Sequence, residues 1–199
     1  MSMKKLLLLS ILMLGFLAIS ISQTETDYQL GKTVKFESEV LQGEVSFHIH
    51  LPYGYDESTD EYPVIYIMNG HLTSTYANAV ATVEKLSYTR IPDMIVIGIS
   101  NSGVAGKYWA CPDDSGRVEN AEMFYSFLEK ELVPRVQSNY RTNTYKILMG
   151  QSNTGLYTTY NFLFYPELFD AYIVSSPMFG WCKDFYFDNT KTSLDAIKS

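Results

Sequence analysis

Histidine is scarce in this chain of 199 residues: there are three, and none lies beyond His71. A catalytic serine in the rest of the chain would therefore have no histidine base following it. Charged residues make up only 19% of the sequence, whereas hydrophobic residues make up 46%. This balance excludes an intrinsically disordered chain and supplies enough apolar material for one packed domain.

Basic residues are outnumbered, with 15 Lys and Arg against 22 Asp and Glu, and the formal net charge is −7. An acidic chain repels phosphate backbones and anionic membrane surfaces. We therefore expect no nucleic-acid partner. The charge alone indicates nothing about a substrate.

Residues 1–22 differ from the rest of the chain. Lys4 and Lys5 precede an apolar run over residues 6–21, and small residues then allow cleavage before Gln23. We expect a signal peptide over residues 1–22, and hence an exported (periplasmic or secreted) protein with no membrane segment after cleavage. A membrane anchor is the alternative, because the apolar run is near the lower limit for spanning a bilayer.

The chain has two cysteines, Cys111 and Cys182. Export would place them in an oxidising compartment, where disulfides persist. They can pair in only one way, but the sequence does not show whether they lie close enough. Free thiols are the favoured interpretation, with a disulfide as the alternative.

Two strands of alternating hydrophobicity are followed by four continuously apolar strands with helical patterns between them. The predicted strands are Val34–Leu41, Glu44–Leu51, Pro63–Met68, Met94–Ile99, Lys146–Met149 and Ala171–Val174. The predicted helices are Tyr76–Tyr88, Glu119–Tyr140 with a kink at Pro134, and one from the Ser152 turn to about Tyr165. A tight hairpin is predicted at residues 41–44. Because strands that are apolar on both faces need helices on both sides, residues 23–199 predict an open, mostly parallel α/β sheet.

The sharpest motif is Gly150-Gln151-Ser152-Asn153-Thr154-Gly155, which follows an apolar strand and precedes a helical pattern. This is the context of a nucleophile elbow, in which a serine sits on a tight strand-to-helix turn. The helix N-terminus there favours a developing oxyanion. The usual pattern is G-x-S-x-G, whereas here Thr154 takes the fifth position and glycine follows one residue later. A helix N-cap that happens to precede a glycine is the alternative interpretation.

Further segments share their order and spacing with one known family. They are Leu51–Tyr55, Glu61–Tyr66 with Asn69-Gly70, Ile95–Asn101, Phe127–Pro134 with Asn139–Thr142, Phe164–Phe169 and Ser175–Pro177. Together with the Ser152 motif, they resemble the esterase D-like (putative esterase) family of α/β-hydrolases. That family includes enterochelin esterases, S-formylglutathione hydrolases and feruloyl esterases. The resemblance spans about Val45 to Pro177.

The resemblance implies a serine hydrolase that cleaves carboxylic esters through an acyl-enzyme on Ser152, with no metal or cofactor. The backbone N–H groups of Asn153 and His71 would form its oxyanion hole. The substrate would be a small-molecule or carbohydrate-linked ester, whose acyl and alcohol groups the sequence leaves open. Two departures concern the substrate side: Asn69 stands where relatives often have Asp, and Lys107–Pro112 keeps only the proline of an Arg-Asp-Leu-Thr-Pro-like stretch.

The partners of the serine are missing from the sequence. In α/β-hydrolases the acid and the histidine follow the nucleophile, but no histidine follows Ser152. We therefore expect a domain truncated before these residues, with an exposed apolar edge beside the strand at 171–174. The alternative is a non-catalytic binding or accessory protein that retains the sheet. His71 as the base is a weaker alternative, and Asp184 is expected to be a solvated loop carboxylate.

Two other groups of residues have a structural and a functional interpretation. His48 and His50 alternate on one strand face and are expected at the surface, since no third metal ligand is nearby. Six loop aromatics either pack over their own core or form a platform for a sugar or aryl group. They are Tyr108, Trp109, Phe179, Trp181, Phe185 and Tyr186.

Overall fold

A computed structural model describes residues 29–100 and 107–197, so the predicted signal peptide lies outside the described residues and stays a prediction. The strands are β1 (Lys32–Ser38), β2 (Gly43–His50), β3 (Tyr62–Ile67), β4 (Ile95–Ser100), β5 (Thr142–Gln151) and β6 (Ala171–Ser175). The helices are α1 (Thr73–Ser87), α2 (Glu119–Phe127), α3 (Val133–Asn139), α4 (Asn153–Phe164) and α5 (Lys183–Ile197). Within the two described ranges, no helix combines the length and the apolar character needed to cross a membrane.

The six strands form one sheet in the order β1-β2-β4-β3-β5-β6. The β1–β2 and β2–β4 pairs are antiparallel, and β4, β3, β5 and β6 run parallel. The predicted mostly parallel α/β sheet is thus confirmed. Because the carboxyl ends of parallel strands meet at one edge of the sheet, the ends of β3, β4, β5 and β6 lie together there.

The sheet separates two hydrophobic cores, which explains why its central strands are apolar throughout. Every residue of β3 is buried. Tyr66 belongs to the larger core with residues of α2 to α5, whereas Ile65 and Ile67 pack with Val80 and Val83 of α1. Alternate side chains of one strand therefore enter different cores, and no alternation of polar and apolar residues remains in its sequence.

The predicted end of β1 at Leu41 is wrong by three residues, because β1 ends at Ser38. The carboxylate of Glu131 accepts hydrogen bonds from the Ser38 hydroxyl at 2.5 Å and from the backbone N–H groups of Glu39 and Val40 at 2.9 and 3.0 Å. These bonds hold the start of the turn at residues 39–42, which leads directly into β2. Glu131 lies far away in the sequence, so no local pattern indicates the early end.

The predicted helix over Glu119–Tyr140 consists of α2, a π-helical turn at Leu128–Leu132, and α3. Pro134 removes one backbone N–H and crowds the carbonyl four residues earlier, that of Lys130. A widened π turn accommodates such a mismatch without ending the helix. The distortion expected at Pro134 therefore lies in the turn before it.

The interpretation of the cysteines as free thiols is wrong: Cys111 and Cys182 form a disulfide with Cα atoms 5.7 Å apart and a sequence separation of 71. Cys111 follows β4 and Cys182 follows β6. These strands are not neighbours in the sheet, so the disulfide joins two segments that the strand order keeps apart. The contact depends on the tertiary fold, which the spacing of two cysteines does not reveal.

The last strand, β6, is an edge strand with exposed apolar side chains, as expected. The side chains of Ile173 and Val174 are 43% and 38% exposed. Beside β6, on the α1 face, runs a groove of about 1130 Å³ whose apolar lining includes Ile147, Met149 and Ile173. Parallel strands are normally covered on both faces, so this corner of the sheet is incompletely covered.

Candidate active site

Ser152 occupies a strained turn between β5 and α4. Its backbone angles are φ 58° and ψ −121°, in a region that non-glycine residues enter at a cost of about 1–3 kcal/mol. Three backbone hydrogen bonds fix it: its N–H donates to the Ser175 carbonyl at 3.0 Å, and its carbonyl accepts from Leu156 at 3.0 Å and Met178 at 3.3 Å. The residue itself is solvent-exposed. The fold therefore holds a serine at the carboxyl edge of the parallel strands, in a backbone conformation that non-glycine residues disfavour.

Two glycines, Gly150 in β5 and Gly155 in α4, allow α4 to approach β5 and β6 closely around this turn. A Cβ atom on Gly150 would lie 2.2 Å from the Thr154 carbonyl oxygen. A Cβ atom on Gly155 would lie 3.0 Å from the Ser175 carbonyl oxygen. In this chain the position that needs a glycine after the serine is therefore 155, which accounts for the late glycine of the motif.

Thr154, in the place of the usual glycine, has a structural role that the sequence analysis missed. Its side chain is buried. The hydroxyl donates to the Gln151 carbonyl at 2.8 Å and accepts from the Gln151 N–H at 3.0 Å, closing the turn around Ser152. Local bonds of this kind are common for threonine near helix starts, which is the only signal the sequence offers.

The predicted oxyanion-hole segment lies in a tight turn after β3. Asn69 has a φ of 60°, and its carbonyl accepts the N–H of Leu72 at 3.0 Å. The Gly70 N–H donates to the Ile99 carbonyl at 2.7 Å, and a Cβ on Gly70 would lie 2.2 Å from the backbone of Gly98. The turn is thus held against β4, and His71 lies within it.

The turn after β3 and the Ser152 turn are neighbours. The Met68 N–H donates to the Met149 carbonyl at 2.9 Å, and Nδ2 of Asn69 lies 3.5 Å from Oγ1 of Thr154. Asn69, which departs from the family pattern, therefore contacts the residue that closes the serine turn. Asn153 is the first residue of α4, where backbone N–H groups have no partner within the helix.

His48 and His50 are partly buried rather than fully exposed. Nδ1 of His48 lies 2.8 Å from Oγ1 of Thr33, and its ring centroid lies 5.3 Å from that of Tyr76. Nδ1 of His50 lies 2.9 Å from the Leu30 carbonyl oxygen, and its Nε2 lies 3.1 Å from Glu84. Both side chains are partly buried because α1, which supplies Tyr76 and Glu84, covers this face of β2. Among residues 29–100 and 107–197, no group of three or more potential ligands is arranged to hold a metal ion.

The imidazole of His71 lies close enough to His48 for their charges to interact. Burial, and to a lesser extent His71, lowers the pKa of His48. His48 belongs to β2, which is separated from β5 by β4 and β3.

We expect His48 to reduce stability in mild acid. Because the folded state lowers its pKa from the ordinary value of 6.5, the unfolded chain takes up the proton more readily. The stabilising contribution is complete above that ordinary value and is lost as the pH falls through it toward the lower folded-state pKa. Besides Tyr76 and Thr33, the group facing His48 is His71, whose charge opposes protonation.

The measurement is the urea midpoint of unfolding at pH 7.5 and pH 5.5 for the wild type and His48→Gln, which retains a side chain able to hydrogen bond Thr33. The midpoint of the wild type should fall more steeply with decreasing pH. Equal slopes for the two proteins would show that His48 contributes no pH dependence.

Asp184 is exposed, as expected for a solvated carboxylate, but it lies in the first turn of α5 rather than in a loop. Four of the six loop aromatics pack against other aromatic residues of the larger core, mainly by ring contacts 5.2–6.0 Å apart. These four are Tyr108, Phe179, Phe185 and Tyr186. Trp109 also packs against the larger core and contacts Trp181, which is 63% exposed.

The six-stranded mixed sheet, with its strained turn between β5 and α4, defines the chain as an α/β-hydrolase-like fold of the esterase kind. The chain belongs to the esterase family described as "Putative esterase", whose sequence model matches residues 38–196.

The proteins to which the chain is similar include the following three. The chain is 25% identical to the uncharacterized protein YbbA of Bacillus subtilis over 66% of its own length and 56% of that protein. It is 31% identical to the ferri-bacillibactin esterase BesA of the same organism over 47% of its length and 30% of BesA. A solved IroE-like serine hydrolase from Shewanella oneidensis is 26% identical, with a TM-score of 0.74 over 82% of this chain and 55% of that one. The chain thus spans between about a third and a half of the length of these relatives.

Proposed function

We propose that this chain is the front part of a carboxylic-ester hydrolase in which Ser152 is the nucleophile. The observation that carries the proposal is the strained φ of Ser152, imposed by hydrogen bonds to Ser175, Leu156 and Met178 in a chain of the esterase family. A non-glycine residue held in such a conformation is frequently functional. The family and the BesA similarity support ester hydrolysis as the reaction class.

In the proposed reaction, Oγ of Ser152 attacks the ester carbonyl carbon while a base accepts the hydroxyl proton. The C–O bond to the alcohol then breaks, the alcohol leaves with that proton, and water later releases the acid from the acyl-serine. The negative charge on the carbonyl oxygen would be stabilised by the backbone N–H groups of Asn153 and His71. These donors are backbone groups, so a histidine at position 71 is compatible with the role.

We further propose that the acid and the histidine of the triad belong to residues that pack beside β6 and are not among these 199. Support comes from the exposed apolar side chains of β6, the apolar groove beside it, and the partial coverage of the relatives. The substrate would be a small-molecule ester, and a siderophore ester is one member of that class, by similarity to BesA.

Labelling with a fluorophosphonate tests the role of Ser152. In a form of the protein extended past Ser199 by its own reading frame, the wild type should be labelled rapidly and Ser152→Ala not at all. Ser176→Ala is the matched control, since Ser176 is also exposed and has a positive φ of 45°. It should be labelled like the wild type, with unfolding midpoints confirming that each variant is folded.

The 199-residue chain should be labelled slowly, because no histidine follows Ser152 in it. Rapid, stoichiometric labelling of this shorter chain would contradict the proposal that the catalytic histidine lies outside these 199 residues. Labelling that persists in Ser152→Ala would contradict the nucleophile itself. A folded, extended form that is never labelled would favour the non-catalytic binding protein.

A further inference from the structure

A cavity of about 570 Å³ lies where the end of β2, the end of α1 and the segment before β4 meet. Its lining includes His50 of β2, Glu84 of α1 and Met94, which directly precedes β4. Because His50 pairs with Val96 near the start of β4, the cavity lies at the amino edge of the parallel strands. Ser152 follows β5 at their carboxyl edge. The cavity is therefore separate from the candidate active site, and its volume is within the range of about 300–1,000 Å³ found for small-molecule sites.

Two highly exposed tyrosines line this cavity. The side chain of Tyr53 is 100% exposed, and that of Tyr88 is 87% exposed. Tyr53 belongs to a tight turn that is closed by a hydrogen bond of 3.1 Å from the Tyr55 N–H to the Pro52 carbonyl, and Tyr88 directly follows α1. Large aromatic side chains that are exposed at one cavity often mark a binding surface. A ligand in the cavity would cover apolar ring surface that is now in contact with water.

The polar groups of the cavity carry both signs of charge. Glu84 and Asp93 supply carboxylates, and Lys85 supplies an ammonium group. Oε1 of Glu84 lies 3.1 Å from Nε2 of His50, and Nδ1 of that ring lies 2.9 Å from the Leu30 carbonyl oxygen. The backbone thus holds the imidazole, and the imidazole positions the carboxylate. Because the Glu84 side chain is 47% exposed, it can still accept a hydrogen bond from a ligand.

We infer that this cavity is a binding site for a neutral saccharide. The carboxylates of Glu84 and Asp93 oppose an anionic ligand, and the ammonium group of Lys85 opposes a cationic one. Hydroxyl groups both donate and accept hydrogen bonds, so they suit a lining of carboxylates and an ammonium group. The apolar C–H face of a sugar ring can pack on the face of a tyrosine, whose tip remains polar. The inference goes beyond the proposed function, because a sugar bound at the amino edge leaves Ser152 accessible.

Isothermal titration calorimetry of the 199-residue chain tests the inference. The neutral probes are cellotetraose, xylotetraose, maltotetraose and mannotetraose, and at least one should bind saturably at one site per chain. Inorganic phosphate and benzyltrimethylammonium are the charged probes. Both should bind more weakly than that sugar, because the lining contains a charge that opposes each of them.

Variants assign the binding to the cavity. Tyr88→Ala should raise the dissociation constant of the bound sugar by about 10-fold, equivalent to about 1.4 kcal/mol of lost ring contact, and Tyr53→Ala should act in the same direction. Tyr88→Phe, which keeps the ring, should change it little. Tyr145→Ala and Trp181→Ala are the matched controls, since these exposed aromatic residues lie in β5 and after β6, and both should bind like the wild type. All five variants replace exposed side chains and should keep the urea midpoint of the wild type.

Several results would overturn the inference. They are the absence of saturable binding for all four sugars, tighter binding of a charged probe, and unchanged affinity in a folded Tyr88→Ala variant. A loss of affinity in Tyr145→Ala or Trp181→Ala would place the sugar elsewhere on the protein and would also overturn it. Because no ester is hydrolysed in the measurement, none of these outcomes depends on whether Ser152 is the nucleophile.

Discussion

Gly150→Ala is expected to destabilise the protein by about 3 kcal/mol or more and to prevent labelling of Ser152 in the extended form. The new Cβ would lie 2.2 Å from the Thr154 carbonyl oxygen and 2.4 Å from Oγ1 of Thr158. Relief requires α4 to move away from β5, since the first contact is with backbone. Overpacking usually costs about 1–3 kcal/mol, and a clash with rigid backbone belongs at or above the upper end. Urea unfolding curves measure the loss.

Gly43→Ala and Gly180→Ala are the matched controls, because a Cβ at either position meets no atom within 4 Å. Both should unfold within about 1 kcal/mol of the wild type. Gly180 also lies at the same edge of the sheet as Ser152, so it controls for the location. A Gly150→Ala variant with the same urea midpoint of unfolding as these two controls would contradict the close approach of β5 and α4.

Removal of the disulfide by Cys111→Ser with Cys182→Ser is expected to lower the free energy of unfolding by about 4 kcal/mol. The disulfide constrains the unfolded chain by closing a long loop, with a sequence separation of 71. In the chain-entropy model, a loop of this length contributes about 4 kcal/mol. For a domain of this size, the melting temperature should fall by roughly 10 °C.

A reductant separates the effect of the disulfide from that of the substitutions. It should lower the melting temperature of the wild type toward that of the double variant and leave the double variant unchanged. If both proteins respond equally, or if the wild type does not respond, the disulfide does not stabilise the folded chain in this way.

The sheet could be predicted from the sequence because its information is local. Continuous apolar runs such as that of β3 follow from burial on both faces, and each of the six strands overlaps a predicted one, although β5 begins at Thr142 rather than at Lys146. The end of β1 could not be predicted, because it depends on Glu131 binding the backbone from a distant helix. For the same reason the partial cover of His48 and His50 was not predicted, because their strand pattern carries no sign that α1 packs against them.

The candidate site was predictable to a similar extent. The motif around Ser152 located the turn, since strand, serine and helix are adjacent in the sequence. The roles of Thr154 and Gly155 could not be predicted. They depend on the close approach of Gly155 to Ser175 and on the hydrogen bond from Thr154 to Gln151. The tryptophan pair likewise depends on two loops that the sequence separates.

The disulfide has a topological consequence for the serine turn. The covalent ring that it closes contains α2, α3, β5, α4 and β6, so Ser152 lies inside a closed loop of chain. A protease that cuts this loop once leaves two fragments still joined through sulfur, and neither can diffuse away. Under oxidising conditions, the strand and the helix that hold Ser152 therefore remain parts of one molecule even after the backbone between Cys111 and Cys182 is broken.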